Sequence, residues 1–204
     1  MSGSKILKAG YWNIHGARNK LEADTVFKWC LNHDVIFLSE IKTNIEFNVP
    51  GFTTIIGKTK KPNRGGIALL VKHYLQDKIV KVDKSIDDQI WIQLSLLPNI
   101  WLGGCYITPC DSLYYDEQSF AHIQSQCLHN SPDSQYIVLG DMNARVGATV
   151  NNLVQGCSDF EYVPSDPDPV TNSNGRKLIQ VCKDCDMLVV DDIYYKYSAA
   201  WGGI

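Results

Sequence analysis

No apolar run in this 204-residue chain approaches the roughly 20 residues that a membrane-spanning helix needs. Basic charge is not in excess either: 19 Lys and Arg stand against 22 Asp and Glu, for a net charge of −3. Strong nonspecific binding to nucleic acid by charge alone is therefore disfavoured. A polyanionic substrate stays open, because a divalent metal and a few local Lys or Arg can supply the positive charge. The start, Met1-Ser2-Gly3-Ser4-Lys5, does not resemble a signal peptide and leads directly into a strand-like run. No internal repeat or linker stands out. Of five His, none follows His129.

Regularly spaced cysteine is also missing. The seven Cys are odd in number and irregular in spacing. With no secretion signal, they read as thiols of an intracellular, reduced protein, nuclear or cytoplasmic and not secreted. Cys182-Lys-Asp-Cys185 is a single CxxC with no second pair and no nearby His, a weak zinc signal. On a helix the two Cys sit one turn apart, and packing against a sheet accounts for them.

What is present is ordinary globular material. Hydrophobic content is 45% and charged content 20%. The length suits one domain, residues 1–204, with a sizeable core. Residues 5–14 read as a first strand and 20–32 as a helix, with Leu21, Phe27, Cys30 and Leu31 near helical spacing. Asp34 to Glu40 is a second, buried strand, so the three elements suggest a crossover unit. Further strands are expected at 52–56, 65–71, 79–82, 88–96 and 99–107. In 88–96, Ile90, Ile92 and Leu94 alternate with polar neighbours and Trp91, the pattern of a half-buried strand. Leu97-Pro98-Asn99 reads as a hairpin connection. Residues 117–128 read as a helix, 136–139 as a buried strand, 146–170 as a long loop, 174–185 as a helix and 187–190 as a strand. Two strand-and-helix ends flank a run of antiparallel strands. That order favours an α+β domain of two stacked sheets with helices outside.

Several strands end on polar residues, where loops held by a rigid sheet commonly carry chemistry. The first ends at Asn13, the second at Glu40, the strand near Cys105 at Tyr106, and that from Tyr136 at Asp141 and Asn143. Each alone is most simply a loop residue. As a set they have a use. Glu40 and Asn13 are hard oxygen donors suited to Mg, with Mn as substitute. Such an ion polarises a phosphodiester and stabilises the leaving oxygen. Asp141 is a candidate to deprotonate or orient an attacking water. Asn143 and Tyr106 are candidate donors to the phosphate oxygens. Arg64, with Lys58, Lys60 and Lys61, forms a basic loop that is either solvated surface or a phosphate contact. His15 is either a substrate contact or a turn residue.

The stretches Trp12-Asn-Ile-His-Gly16, Leu38-Ser-Glu-Ile-Lys42, Arg64-Gly-Gly-Ile67, Tyr106-Ile-Thr-Pro109, Gly140-Asp-Met-Asn-Ala144 and Asn174-Gly-Arg-Lys-Leu178 occur in that order. This ordered set resembles the endonuclease/exonuclease/phosphatase superfamily, which includes deoxyribonuclease I. In local form it looks most like the endonuclease domains of non-LTR retrotransposons and genes derived from them. The resemblance covers roughly residues 7–192. It implies a four-layer α/β/β/α sandwich of two mainly antiparallel sheets. It places Asn13 and Glu40 near a metal, Tyr106 at the scissile phosphate, Asp141 and Asn143 at the nucleophile, and Asn174 near the substrate phosphate. The implied partner is DNA, with no membrane and no obligate protein partner.

The family pattern closes with a late Asp-His pair, and no His follows His129 here. The reading is therefore a DNA endonuclease domain lacking the last strand and the final motif, with impaired activity. The alternatives are a catalytically inactive DNA- or protein-binding descendant, and an inositol phosphatase.

Overall fold

The computed structural model describes residues 6–17, 20, 24–43, 47–59, 63, 65–129, 133–147 and 169–189. The chain divides into two units: Met1–Ile107 with Asn130–Asp141, and Thr108–His129 with Met142–Ile204.

The first unit holds every described strand. In chain order it runs β1 (Ala9–Asn13), α1 (Asp24–Leu31), β2 (Val35–Ser39), β3 (Phe52–Ile56), β4 (Ile67–Lys72), a 3-10 turn (His73–Lys78), β5 (Ile79–Asp83), β6 (Gln89–Leu94), β7 (Ile100–Tyr106) and β8 (Gln135–Asp141). One sheet has the order β1-β2-β4-β3, the other β5-β6-β7-β8. Each contains two antiparallel pairs and one parallel pair, β1 with β2 and β7 with β8. The result is an α+β sandwich of two mixed sheets, the fold class read from the sequence. Parallel neighbours need a crossover, and α1 supplies the one between β1 and β2.

The period-2 alternation of strands explains the packing. Val35, Phe37, Ile67, Leu69 and Val71 from one sheet meet Ile90, Ile92, Leu94 and Leu102 from the other in one buried cluster. The opposite face of the first sheet, with Ile36, Leu38, Ala68 and Leu70, is covered by Val26 and Cys30 of α1. Gly104 lets the two sheets close, and Gly103 makes room for Trp91 on the neighbouring strand of its own sheet. A Cβ on Gly104 would lie 2.0 Å from the Phe37 ring, and one on Gly103 2.4 Å from Trp91.

The second unit contains α2 (Ser119–Leu128) and α3 (Ser173–Asp184). Gln124 of α2 donates to Asp184 at 2.8 Å, and the Cys127 thiol lies 3.9 Å from the Met187 sulfur. Burial pushes the Cys127 thiol up to about 12 and Cys182 to about 11, the behaviour of packed thiols. The CxxC cysteines are free. Among the described residues no helix is long and apolar enough to cross a membrane.

Three expectations need correction. Strand β6 is buried on both faces rather than one. Trp91 lies over the bare backbone of Gly103 and donates its indole N–H to buried Gln89 at 3.2 Å. Residues 187–189 form no strand; Asp186 takes a left-handed φ of 52° after α3, Met187 turns back to Cys182, and Leu188 is exposed. Val190 lies outside the described residues. Helix α2 begins later than expected, at Ser119, while α1 is described from Asp24 and residues 21–23 lie outside the described residues. Most of the long loop at 146–170 lies outside the described residues.

Candidate active site

The parallel pair in each sheet decides where the polar residues go. β1 and β2 end side by side, and so do β7 and β8, with Tyr106 opposite Asp141 in register. Beyond the strands the first pair stays zipped: Ile14 bonds to Ser39, Gly16 to Glu40 and Ala17 to Ile41. Ile14 and Ile41 are buried and pin the two exit segments from below. On the other side Ile41 and Lys42 donate to the carbonyls of Gly66 and Gly65. Gly66 in turn donates to the Asp88 carboxylate at 2.8 Å. This is the structural use of the Arg-Gly-Gly stretch. Arg64 itself lies outside the described residues.

Asn13, Glu40, Tyr106 and Asp141 meet. Asn13 Nδ2 donates to Glu40 Oε1 at 2.9 Å and to Asp141 Oδ2 at 3.0 Å. One amide therefore bridges carboxylates from the two sheets. Tyr106 Oη donates to the same Glu40 Oε1 at 3.3 Å. Glu40 Oε2 is paired with His15 Nδ1 at 2.8 Å and with Lys42 Nζ at 3.3 Å. The backbone is unusual here: His15, Glu40 and Lys42 have φ of 49°, 50° and 53°. Left-handed non-glycine residues are costly and gather where the surroundings over-determine them.

Electrostatics follow the contacts. Burial works against ionising Glu40. Hydrogen bonds from Asn13, His15 and Lys42, with the Lys42 charge, outweigh it and hold the carboxyl below its ordinary value. Burial and the neighbouring Glu40 charge push Tyr106 up, so it stays a phenol and a donor. Tyr11 is pushed up by burial and by Asp141, while its hydroxyl bonds to Ser39 and to the Asp141 backbone.

The second unit holds Asn143 and Asn174. Asn143 has φ 45°, and its carbonyl accepts from Asn172 Nδ2 at 3.0 Å. Asn174 does not face solvent: its exposure is 0%. Its Nδ2 donates to the carbonyls of Thr108 at 3.2 Å and Met142 at 3.1 Å. Asn174 thereby ties together the segments that follow β7 and β8 in the chain. His15, 72% exposed at the side chain, rests on Glu40. Of the basic loop, Lys58 is described; it is exposed and turns to the Ser85 carbonyl.

Sequence reasoning missed Lys42 and Asn172. Lys42 stood in the quoted Ser-Glu-Ile-Lys stretch but was given no role. Asn172 precedes a helix, where an N-cap is expected, and that signal was present.

The chain belongs to the endonuclease/exonuclease/phosphatase family, whose model matches residues 10–186. Among curated proteins no sequence matches. Among solved structures, an AP endonuclease from Archaeoglobus fulgidus is similar at 16% identity and a TM-score of 0.53, over 87% of this chain and 70% of that one. The catalytic domain of Xenopus laevis APE2 is similar at 14% identity and a TM-score of 0.56, over 85% and 67%. These likenesses are likenesses of fold.

The family is one of divalent-metal-dependent hydrolases. Among the described residues no three His, Cys, Asp or Glu are placed to hold a metal. The donors here are two carboxylates and an amide. That set fits a hard cation that keeps several waters and completes its shell with substrate phosphate. Lys42 Nζ, 3.3 Å from Glu40 Oε2, brings positive charge to the same carboxylate.

Proposed function

We propose that the chain is a Mg-dependent phosphodiesterase that nicks DNA, of the retrotransposon endonuclease type. The observation that carries this reading is the bridge from Asn13 to Glu40 and Asp141 beside Tyr106. Family membership supports hydrolysis of a phosphate ester. The ordered motifs, Ser-Glu-Ile-Lys and Tyr-Ile-Thr-Pro above all, support the retrotransposon branch.

Glu40, with Asn13, would hold the ion, which when bound polarises the phosphate and neutralises charge on the leaving oxygen. Asp141 accepts the proton of the attacking water as its oxygen bonds to phosphorus and one ester P–O bond breaks. Tyr106, kept protonated, donates to a non-bridging oxygen, and the amide of Asn143 does the same as charge develops. DNA is the partner, and Arg64 with Lys58 provides backbone phosphate contacts.

The test is nicking of supercoiled plasmid with Mg or Mn, comparing wild type with Asp141→Asn. Metal-dependent nicking that the substitution abolishes is expected. Binding of DNA without metal-dependent nicking would favour the inactive binding module instead. Release of phosphate from inositol phosphates, with DNA untouched, would favour the phosphatase reading.

A further inference from the structure

We propose that Asn172 is a positioning residue for Asn143, a role that rests on the DNA-nicking reading of the site. Asn172 is the N-cap of α3, in extended conformation, and its Oδ1 accepts from the Gly175 amide at 2.7 Å. That much is ordinary helix capping. The same oxygen also accepts from the Arg145 amide at 3.1 Å. The Asn172 amide donates to the Arg145 carbonyl at 3.0 Å. Its Nδ2 donates to the Asn143 carbonyl at 3.0 Å. One side chain thus joins the start of α3 to the loop of Gly140-Asp-Met-Asn-Ala144.

The loop has reason to need holding. Asn143 sits at φ 45°, a conformation that costs a non-glycine residue energy. The carbonyl that Asn172 grips is Asn143's own. Two further features press the same loop to the helix. Gly175 lets the Arg145 carbonyl approach so closely that a Cβ would lie 1.9 Å from its oxygen. Buried Asn174 takes the Met142 carbonyl. Met142, Asn143 and Arg145 are therefore each held by the first turn of α3. Capping alone requires only the oxygen of Asn172. The donated hydrogen has no use for the helix and acts on Asn143.

Asn172→Asp separates the two roles. A carboxylate caps as well as an amide, and gains from the helix dipole, but has no hydrogen for Asn143. The thermal midpoint should stay near wild type. The kcat for nicking should fall by about 100-fold with KM changed little, the size expected when a catalytic group is misplaced by about 1 Å. The ¹³Cα shift of Asn143 should move away from its left-handed value. Asn172→Ala, losing both functions, should lower the thermal midpoint as well. Wild-type kcat together with an unmoved Asn143 shift in Asn172→Asp would overturn the inference. If the wild-type chain does not nick DNA at all, the proposed function fails. The Asn143 shift then decides the positioning role alone.

Discussion

Asn13 and Asp141 are 128 residues apart in sequence, and Asn13 Nδ2 lies 3.0 Å from Asp141 Oδ2. The same nitrogen holds Glu40. Two carboxylates on one amide would repel each other without it. Asn13→Ala should therefore cut metal-dependent nicking by at least about 100-fold, as loss of an oriented donor does elsewhere. Plasmid nicking under single-turnover conditions measures this, and a decrease under threefold would argue that the bridge is incidental.

Glu40 and Asp141 should separate in metal titrations. Glu40→Gln removes a ligand charge, and Mn affinity measured by calorimetry should drop by about 10-fold or more. Asp141→Asn should abolish nicking with a smaller change in Mn affinity. Equal losses of affinity in both variants would contradict the division of labour proposed for them.

Acid should destabilise the first unit. Asp34, like Glu40, has its carboxyl held below the ordinary value: burial opposes this, but the Lys8 amide, Tyr74 and Lys72 outweigh it. A depressed carboxyl contributes stability that is present above its unfolded pKa, about 4. That stability is lost as pH falls through the lower folded pKa. Asp34→Asn should cost about 2 kcal/mol at pH 7 and flatten the acid limb of a urea-denaturation series. An unchanged acid limb would count against Asp34 as its source.

Gly175→Ala should be the most damaging small change in the second unit. The added Cβ meets backbone, which cannot swing aside as a side chain can. About 3 kcal/mol of destabilisation is expected, read by thermal or urea unfolding. A loss under about 0.5 kcal/mol would mean that the α3 start and the Arg145 loop part easily.

The strands were legible because period-2 burial leaves a local mark: Val35-Ile-Phe-Leu needs no context to read as a buried strand. β6 was misread because Trp91 and Gln89 look like a wet face. Only the missing side chain of Gly103, on the neighbouring strand, makes room for Trp91. The stretch at 187–189 has a strand's composition, and the turn after Cys185 is what prevents one. In the site, Asn13, Glu40, Tyr106 and Asp141 were legible as strand-end residues in family order. The burial of Asn174 was not legible, because burial is a property of the packed chain.

By itself the sequence determined which chemistry was on offer: hard oxygen donors, a phenol and amides, each at the end of an apolar strand. It also determined the local turns, through Asn13, Gly65-Gly66 and the Asn172 cap. Spacing along the chain says nothing about convergence. The tertiary structure decided that, by giving each sheet one parallel pair and so bringing the exits of β1, β2, β7 and β8 to one amide. It also decided that His15 would meet Glu40 and Lys42, since contacts between residues 25 or more apart follow from sheet register and not from local propensity.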